Sequence, residues 1–132
     1  MDVEKIKQAI MADSMNKVFT DQGIEPLFKV SPEAEIVLVG QAPGRLAQAT
    51  KMVWNDQSGE RLRMWLGLSR KEFYESEKIA HMPMDFYYPG KGKNGDNPPR
   101  RGFAEKWHPL LLKEMPKVKT LVLIGSFAQK FY

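Results

Sequence analysis

Residues 35–44, Glu-Ile-Val-Leu-Val-Gly-Gln-Ala-Pro-Gly, carry a continuously apolar, mostly β-branched run straight into a glycine-bounded turn. Ile36 to Val39 reads as a strand covered on both faces, the signature of a parallel strand inside an α/β sheet. The turn ends the ladder abruptly. Pro43 has no N–H to donate, and glycine at 40 and 44 tolerates backbone angles closed to other residues. In open α/β sheets, ligands bind beyond the carboxyl ends of the strands. Gly40, Gln41, Ala42, Pro43 and Gly44 are therefore candidate site residues.

The rest of the chain supplies matching elements. Val3 to Phe19 has the apolar spacing of one amphipathic helix, with Ile6, Ile10 and Val18 near one face. Arg45 to Met52 reads as a loop with at most one helical turn. Leu62, Trp65 and Leu66 define the buried face of a helix capped by Asp56 or Ser58 and closed by Gly67. Ser69-Arg-Lys-Glu72 matches a capping box and opens a helix through Phe73 and Tyr74. Lys78 to Met84 reads as a second, shorter strand. Gly90 to Arg101, with three glycines and two prolines, reads as irregular. A helix follows over Phe103 to Met115, then a buried strand over Thr120 to Ile124 and a helix begun at Ser126.

This order predicts a three-layer α/β/α fold around a central parallel sheet. At 132 residues it predicts one domain, with residues 1–30 as an N-terminal helical segment. The last helix runs about six residues before Tyr132 without a C-cap signal. The expectation is that a C-terminal strand and its flanking helix are missing.

Composition narrows the chemistry. Cysteine is absent, so disulfides, iron–sulfur clusters, thiolate zinc and cysteine nucleophiles are excluded. His81 and His108 are too few for a histidine-rich metal site, and no cofactor is expected. No apolar run approaches the ~20 residues of a membrane span, and the N-terminus lacks a signal pattern. The expected location is cytoplasmic, with no membrane partner. The net charge is +4, and Lys91, Lys93, Arg100 and Arg101 lie within one Gly/Pro-rich segment, a grouping suited to phosphate. Trp54, Phe86, Tyr87 and Tyr88 fall in predicted loops, where flat rings beside backbone amides suit a planar guest. The Gly40–Gly44 turn is neither a Walker loop nor a dinucleotide fingerprint, because Arg45 and Leu46 follow Gly44.

Four stretches taken in order, Ile36–Gly44, Trp54–Leu62, Met82–Gly92 and Leu121–Ser126, resemble the uracil-DNA glycosylase superfamily, chiefly its bacterial single-domain members. The resemblance runs from about Glu35 to Tyr132. It implies a base-excision enzyme that flips a damaged base such as uracil from single-stranded DNA or a damaged duplex and hydrolyses its N-glycosidic bond. It implies Gln41 as the residue that positions water, and Gly40, Ala42, Pro43, Gly44, Trp54, Met84 and Phe86 as the base pocket, with Trp54 the stacking ring. Lys91, Lys93, Arg100 and Arg101 would contact DNA. Gln41 stands where the iron–sulfur branches carry glutamate, so its amide orients water without deprotonating it. Met82, Pro83 and Met84 stand where familiar members place an asparagine. The family's His-Pro-Ser motif does not occur in these residues, and His108-Pro109 precedes the third strand. The expectation is a parent glycosylase of which this chain, by itself, is inactive. The alternatives are a non-catalytic nucleic-acid or nucleobase-binding module, or an inactive remnant.

Overall fold

In the computed structural model, which describes residues 2–132, the Ile36–Val39 segment is the middle strand of the sheet. The elements in chain order are α1 (Val3–Ala12), a 3-10 turn (Ser14–Asn16), α2 (Lys17–Thr20), β1 (Ile36–Val39), α3 (Arg45–Thr50), α4 (Gln57–Leu66) and α5 (Arg70–Glu75). Then come β2 (Ile79–His81), β3 (Lys91–Gly92), β4 (Gly95–Asp96), α6 (Phe103–Lys113), β5 (Thr120–Leu123) and α7 (Ser126–Phe131). Strands β2, β1 and β5 pair in that order, all parallel, with Leu38 opposite His81 and Val122.

The alternation of β1 separates two cores. Val37 and Val39 join Ile6, Ile10, Phe86, Phe103, Trp107 and Leu111, which places α1, α6 and α7 on that face. Leu38 joins Leu62, Phe73 and Ile79, which places α4 and α5 on the other. This is a small α/β fold with helices on both faces of a parallel sheet. Among the described residues no helix is long and apolar enough to cross a membrane.

Several local expectations give way to specific interactions. The predicted Val3–Phe19 helix breaks at Asp13, whose carboxylate accepts the Met15 N–H at 2.9 Å in an extended conformation. Buried Asn16 then donates to the Ile10 carbonyl at 2.8 Å. Arg45 to Thr50 is a six-residue helix where a loop with at most one helical turn was expected. On α4 the inward residues are Gly59, Leu62 and Arg63, while Trp65 is 75% exposed and Leu66 lies outside with it. The apolar count misjudged this face because Arg63 turns inward over the Phe73 and Tyr74 rings. Lys91 to Asp96 forms a short antiparallel hairpin inside the segment read as irregular. The capping box at Ser69 and Glu72 forms as its sequence predicts.

Beyond β2 the chain keeps pairing with the turn after β1. Met84 N–H donates to Gly40 at 2.8 Å and Asp85 N–H to Gln41 at 3.2 Å. This delivers Asp85, fully buried, to the base of the hairpin segment. Arg100 grips it in a two-pronged pair, Nε to Oδ2 at 2.8 Å and Nη2 to Oδ1 at 3.0 Å. The Arg100 and Tyr87 backbone amides, each at 3.1 Å, satisfy the remaining acceptor capacity. Nη1 reaches the Met15 carbonyl at 2.9 Å, and the guanidinium lies over the rings of Phe19, Tyr87 and Phe103. A buried carboxylate with every lone pair answered holds its place, and removing the partly buried arginine strands its charge. Arg100→Ala is expected to cost about 3–5 kcal/mol in urea unfolding, whereas Lys93→Ala leaves the midpoint unchanged.

The two histidines are fully buried. His81 donates from Nε2 to the Phe73 carbonyl at 3.1 Å. His108 donates from Nε2 to the Pro83 carbonyl at 2.8 Å and accepts from the Tyr132 hydroxyl at 2.6 Å. Burial pushes both imidazoles down to about 4 from an ordinary 6.5. The unfolded chain therefore takes up protons that the native state refuses between these values. Stability is expected to be complete above pH 6.5 and to fall as pH drops towards 4. Each imidazole contributes on the order of 3 kcal/mol across that window. Urea midpoints measured from pH 7 to pH 4.5 check this, and His81→Phe is expected to flatten the slope.

Candidate functional site

The turn after β1 forms the floor of a cleft of about 310 Å³ at the carboxyl edge of the sheet. Gly40, Gln41, Ala42, Pro43 and Gly44 line it together with Trp54, Asp56 and Ser58, and Pro83, Asp96 and Gly125 complete the wall. These come from separate parts of the chain and converge because parallel strands end on the same side.

Trp54 is the most constrained of them. Its φ is +58°, in the left-handed region that a bulky residue seldom occupies. Two interactions hold its loop there. Arg63 Nη1 donates to the Trp54 carbonyl at 3.3 Å, and the Tyr74 hydroxyl donates to the Val53 carbonyl at 2.7 Å. The indole then lies against Gly40, where an added Cβ would come within 2.6 Å of Cζ2. At Gly59 a Cβ would come within 1.7 Å of the Trp54 carbonyl oxygen. Gly40 is thus needed for room under the ring, and its φ is not positive.

The other expected site residues distribute unevenly. Gln41 is exposed at the turn and Pro43 is buried beneath it. Met84 is 8% exposed and lines a different, more open cleft of about 600 Å³, with Arg101, Phe127 and Lys130. Phe86 is fully buried, stacked on Phe28 with centroids 4.9 Å apart, and touches neither cleft. Its expected place in a base pocket is corrected: it is a core ring, as is Tyr87, stacked on Phe19. Arg100, expected at DNA, is corrected likewise, because its guanidinium is committed to Asp85. Lys91, Lys93 and Arg101 are exposed.

The residue that sequence reasoning missed is Asp96, at the end of the hairpin. Its Oδ1 accepts from the Tyr88 hydroxyl at 3.3 Å, and the Tyr88 N–H donates to Gln48 of α3 at 2.8 Å. The adjacent Asn94-Gly95 pair is a turn signal that marks a hairpin capable of folding Asp96 back. Asp56 uses Oδ1 to cap α4 through the Gly59 N–H at 2.9 Å. No group of His, Cys, Asp and Glu suited to a metal ion forms among the described residues.

A family model described as the uracil DNA glycosylase superfamily matches residues 28–132. The chain belongs to this superfamily. The match starts at Phe28, where the Leu27–Lys29 segment pairs with residues beyond and within β2, and leaves α1 and α2 outside it. Membership places the protein among DNA glycosylase-like folds, consistent with the α/β architecture and with a ligand cleft at the strand ends.

The glycine contacts give a direct check. Gly59→Ala drives a methyl into backbone and is expected to cost at least about 2 kcal/mol in chemical unfolding. At Gly40 the atoms nearest an added methyl all belong to the indole, and Gly40→Ala is expected to change the near-ultraviolet circular dichroism while costing less.

Proposed function

We propose that this chain is a DNA glycosylase-like protein of base-excision repair. Its Gly40–Gly44 cleft receives a damaged base, such as uracil, turned out of a DNA strand, and the N-glycosidic bond is hydrolysed there. The observation that carries the reading is Trp54, an indole seated on Gly40 in the wall of a cleft of about 310 Å³. A fixed ring needs no ordering when a base stacks on it, and such stacking contributes ~1–3 kcal/mol. Single-stranded DNA or a damaged duplex fits best, since turning a base out costs least there.

Gln41 stands exposed at the turn and offers an amide to a water approaching C1′. An amide orients water but takes no proton, so the reaction relies on an oxocarbenium-like sugar that accepts a weak nucleophile. Lys91, Lys93 and Arg101 supply phosphate contacts from exposed positions. The amide at 41 also favours a second reading, a non-catalytic module that holds the base without hydrolysis.

Incubation with single-stranded DNA containing uracil or hypoxanthine, followed by cleavage at abasic sites, separates the two readings. Base release supports the enzyme; Trp54-dependent binding without release supports the module. Trp54→Ala is expected to weaken binding of the modified strand by roughly 5- to 100-fold. Replacing Lys91, Lys93 and Arg101 one at a time by alanine is expected to reduce the logarithmic salt slope by about 0.7 each.

A further inference from the structure

Resting on the base-pocket reading above, we infer that the guest of this cleft is a positively charged base, an N-alkylated purine such as 7-methylguanine, held between the Trp54 indole and the carboxylates of Asp56 and Asp96. The two carboxylates reach one part of the cleft from separate elements, one from the start of α4 and one from the hairpin. A methyl built on Gly44 would lie 3.7 Å from Asp56 Oδ2 and 3.9 Å from Asp96 Oδ2. Each residue has its Oδ1 engaged, by the Gly59 N–H and by the Tyr88 hydroxyl, while neither Oδ2 has a hydrogen-bond donor among the described residues. Neither carboxylate forms an ion pair there. The described residues that line the cleft include no lysine, arginine or histidine. Its lining is therefore negative, with the Arg45 charge that acts on Tyr88 lying outside it, in a protein whose net charge is +4.

Charge complementarity selects the guest. Uracil is neutral and leaves as an anion, which two carboxylates oppose. A ring-alkylated purine carries a positive charge, stacks on indole with an added cation–π attraction, and presents amino hydrogens to carboxylate acceptors. It also makes the departure easier. As the bond from C1′ to the base breaks, its electron pair stays with the base and cancels the positive charge, so no acid is needed at the leaving group. Water adds to C1′, and the proton it loses passes to Asp96 or Asp56 and then to solvent.

The test uses the full chain and single-stranded oligonucleotides that differ at one position: guanine, 7-methylguanine or uracil. Binding is followed by fluorescence anisotropy and base release by chromatography. The methylated strand is expected to bind about ten-fold more tightly than the guanine strand. That ratio should fall towards one in Asp96→Asn and in Asp56→Asn; asparagine keeps the size of each side chain, the oxygen that accepts from Tyr88 at 96 and the capping acceptor at 56. Unfolding midpoints confirm that the variants are folded. A Trp54-dependent preference for uracil over 7-methylguanine leaves the base pocket intact and overturns the cationic guest. A ten-fold ratio that survives in the doubly substituted protein also overturns it. Absence of any Trp54-dependent preference among the three strands removes the base pocket itself, and the cationic guest with it.

Discussion

The pair of buried Asp85 with partly buried Arg100 is the contact on which the geometry of the carboxyl edge depends. Asp85 lies where the chain leaves its pairing with the turn after β1, and Arg100 lies where the hairpin segment returns to the core. The same guanidinium reaches the Met15 carbonyl in the N-terminal segment and covers three aromatic rings. One side chain thus joins the N-terminal helices, the strand end and the segment leading into α6. Ion pairs in low dielectric are tolerated only with complete hydrogen bonding. Here the requirement is met at Asp85, and the hairpin carries Asp96 to Gly44.

The cleft depends on a second constraint, the fit of Trp54 between two glycines. Left-handed backbone at a tryptophan is unfavourable and persists only where the surroundings over-determine it. Arg63, Tyr74 and the capped start of α4 do so here. The outcome is a ring held rigidly beside a turn whose own backbone is braced by Met84 and Asp85. Rigid walls favour a planar guest, because little entropy is lost on binding. On the proposed reading this wall is the surface for a base, and the carboxylates at 56 and 96 make the lining itself negative.

Residues whose role is local were legible in the sequence. β1 and its turn, the capping box at Ser69, the glycine that ends α4 and the strand Thr120–Leu123 all follow from propensity and pattern. The likeness of four ordered motifs to the superfamily was legible too, and the family match extends it to Phe28. The misplaced residues are those with two plausible environments. Phe86 and Tyr87 follow a strand end in a loop, a context that suits exposed rings, yet Phe19, Phe28 and Phe103 enclose them. Arg100 belongs to a basic cluster by composition, and only a carboxylate fifteen residues earlier withdraws it. Asp96 carried no signal beyond the nearby turn.

The sequence by itself determined the parallel strand, the abrupt turn after it, the absence of thiol chemistry and the family. These are properties of short windows and of composition, where backbone preference and hydrophobic alternation act without reference to distant residues. Tertiary structure alone decided which side chains share the cleft. The ring at 54 meets Gly40, and the carboxylates at 56 and 96 meet Gly44, because strand order and the Asp85–Arg100 pair bring separate loops to one edge. Such encounters depend on packing between elements, and no local preference records them.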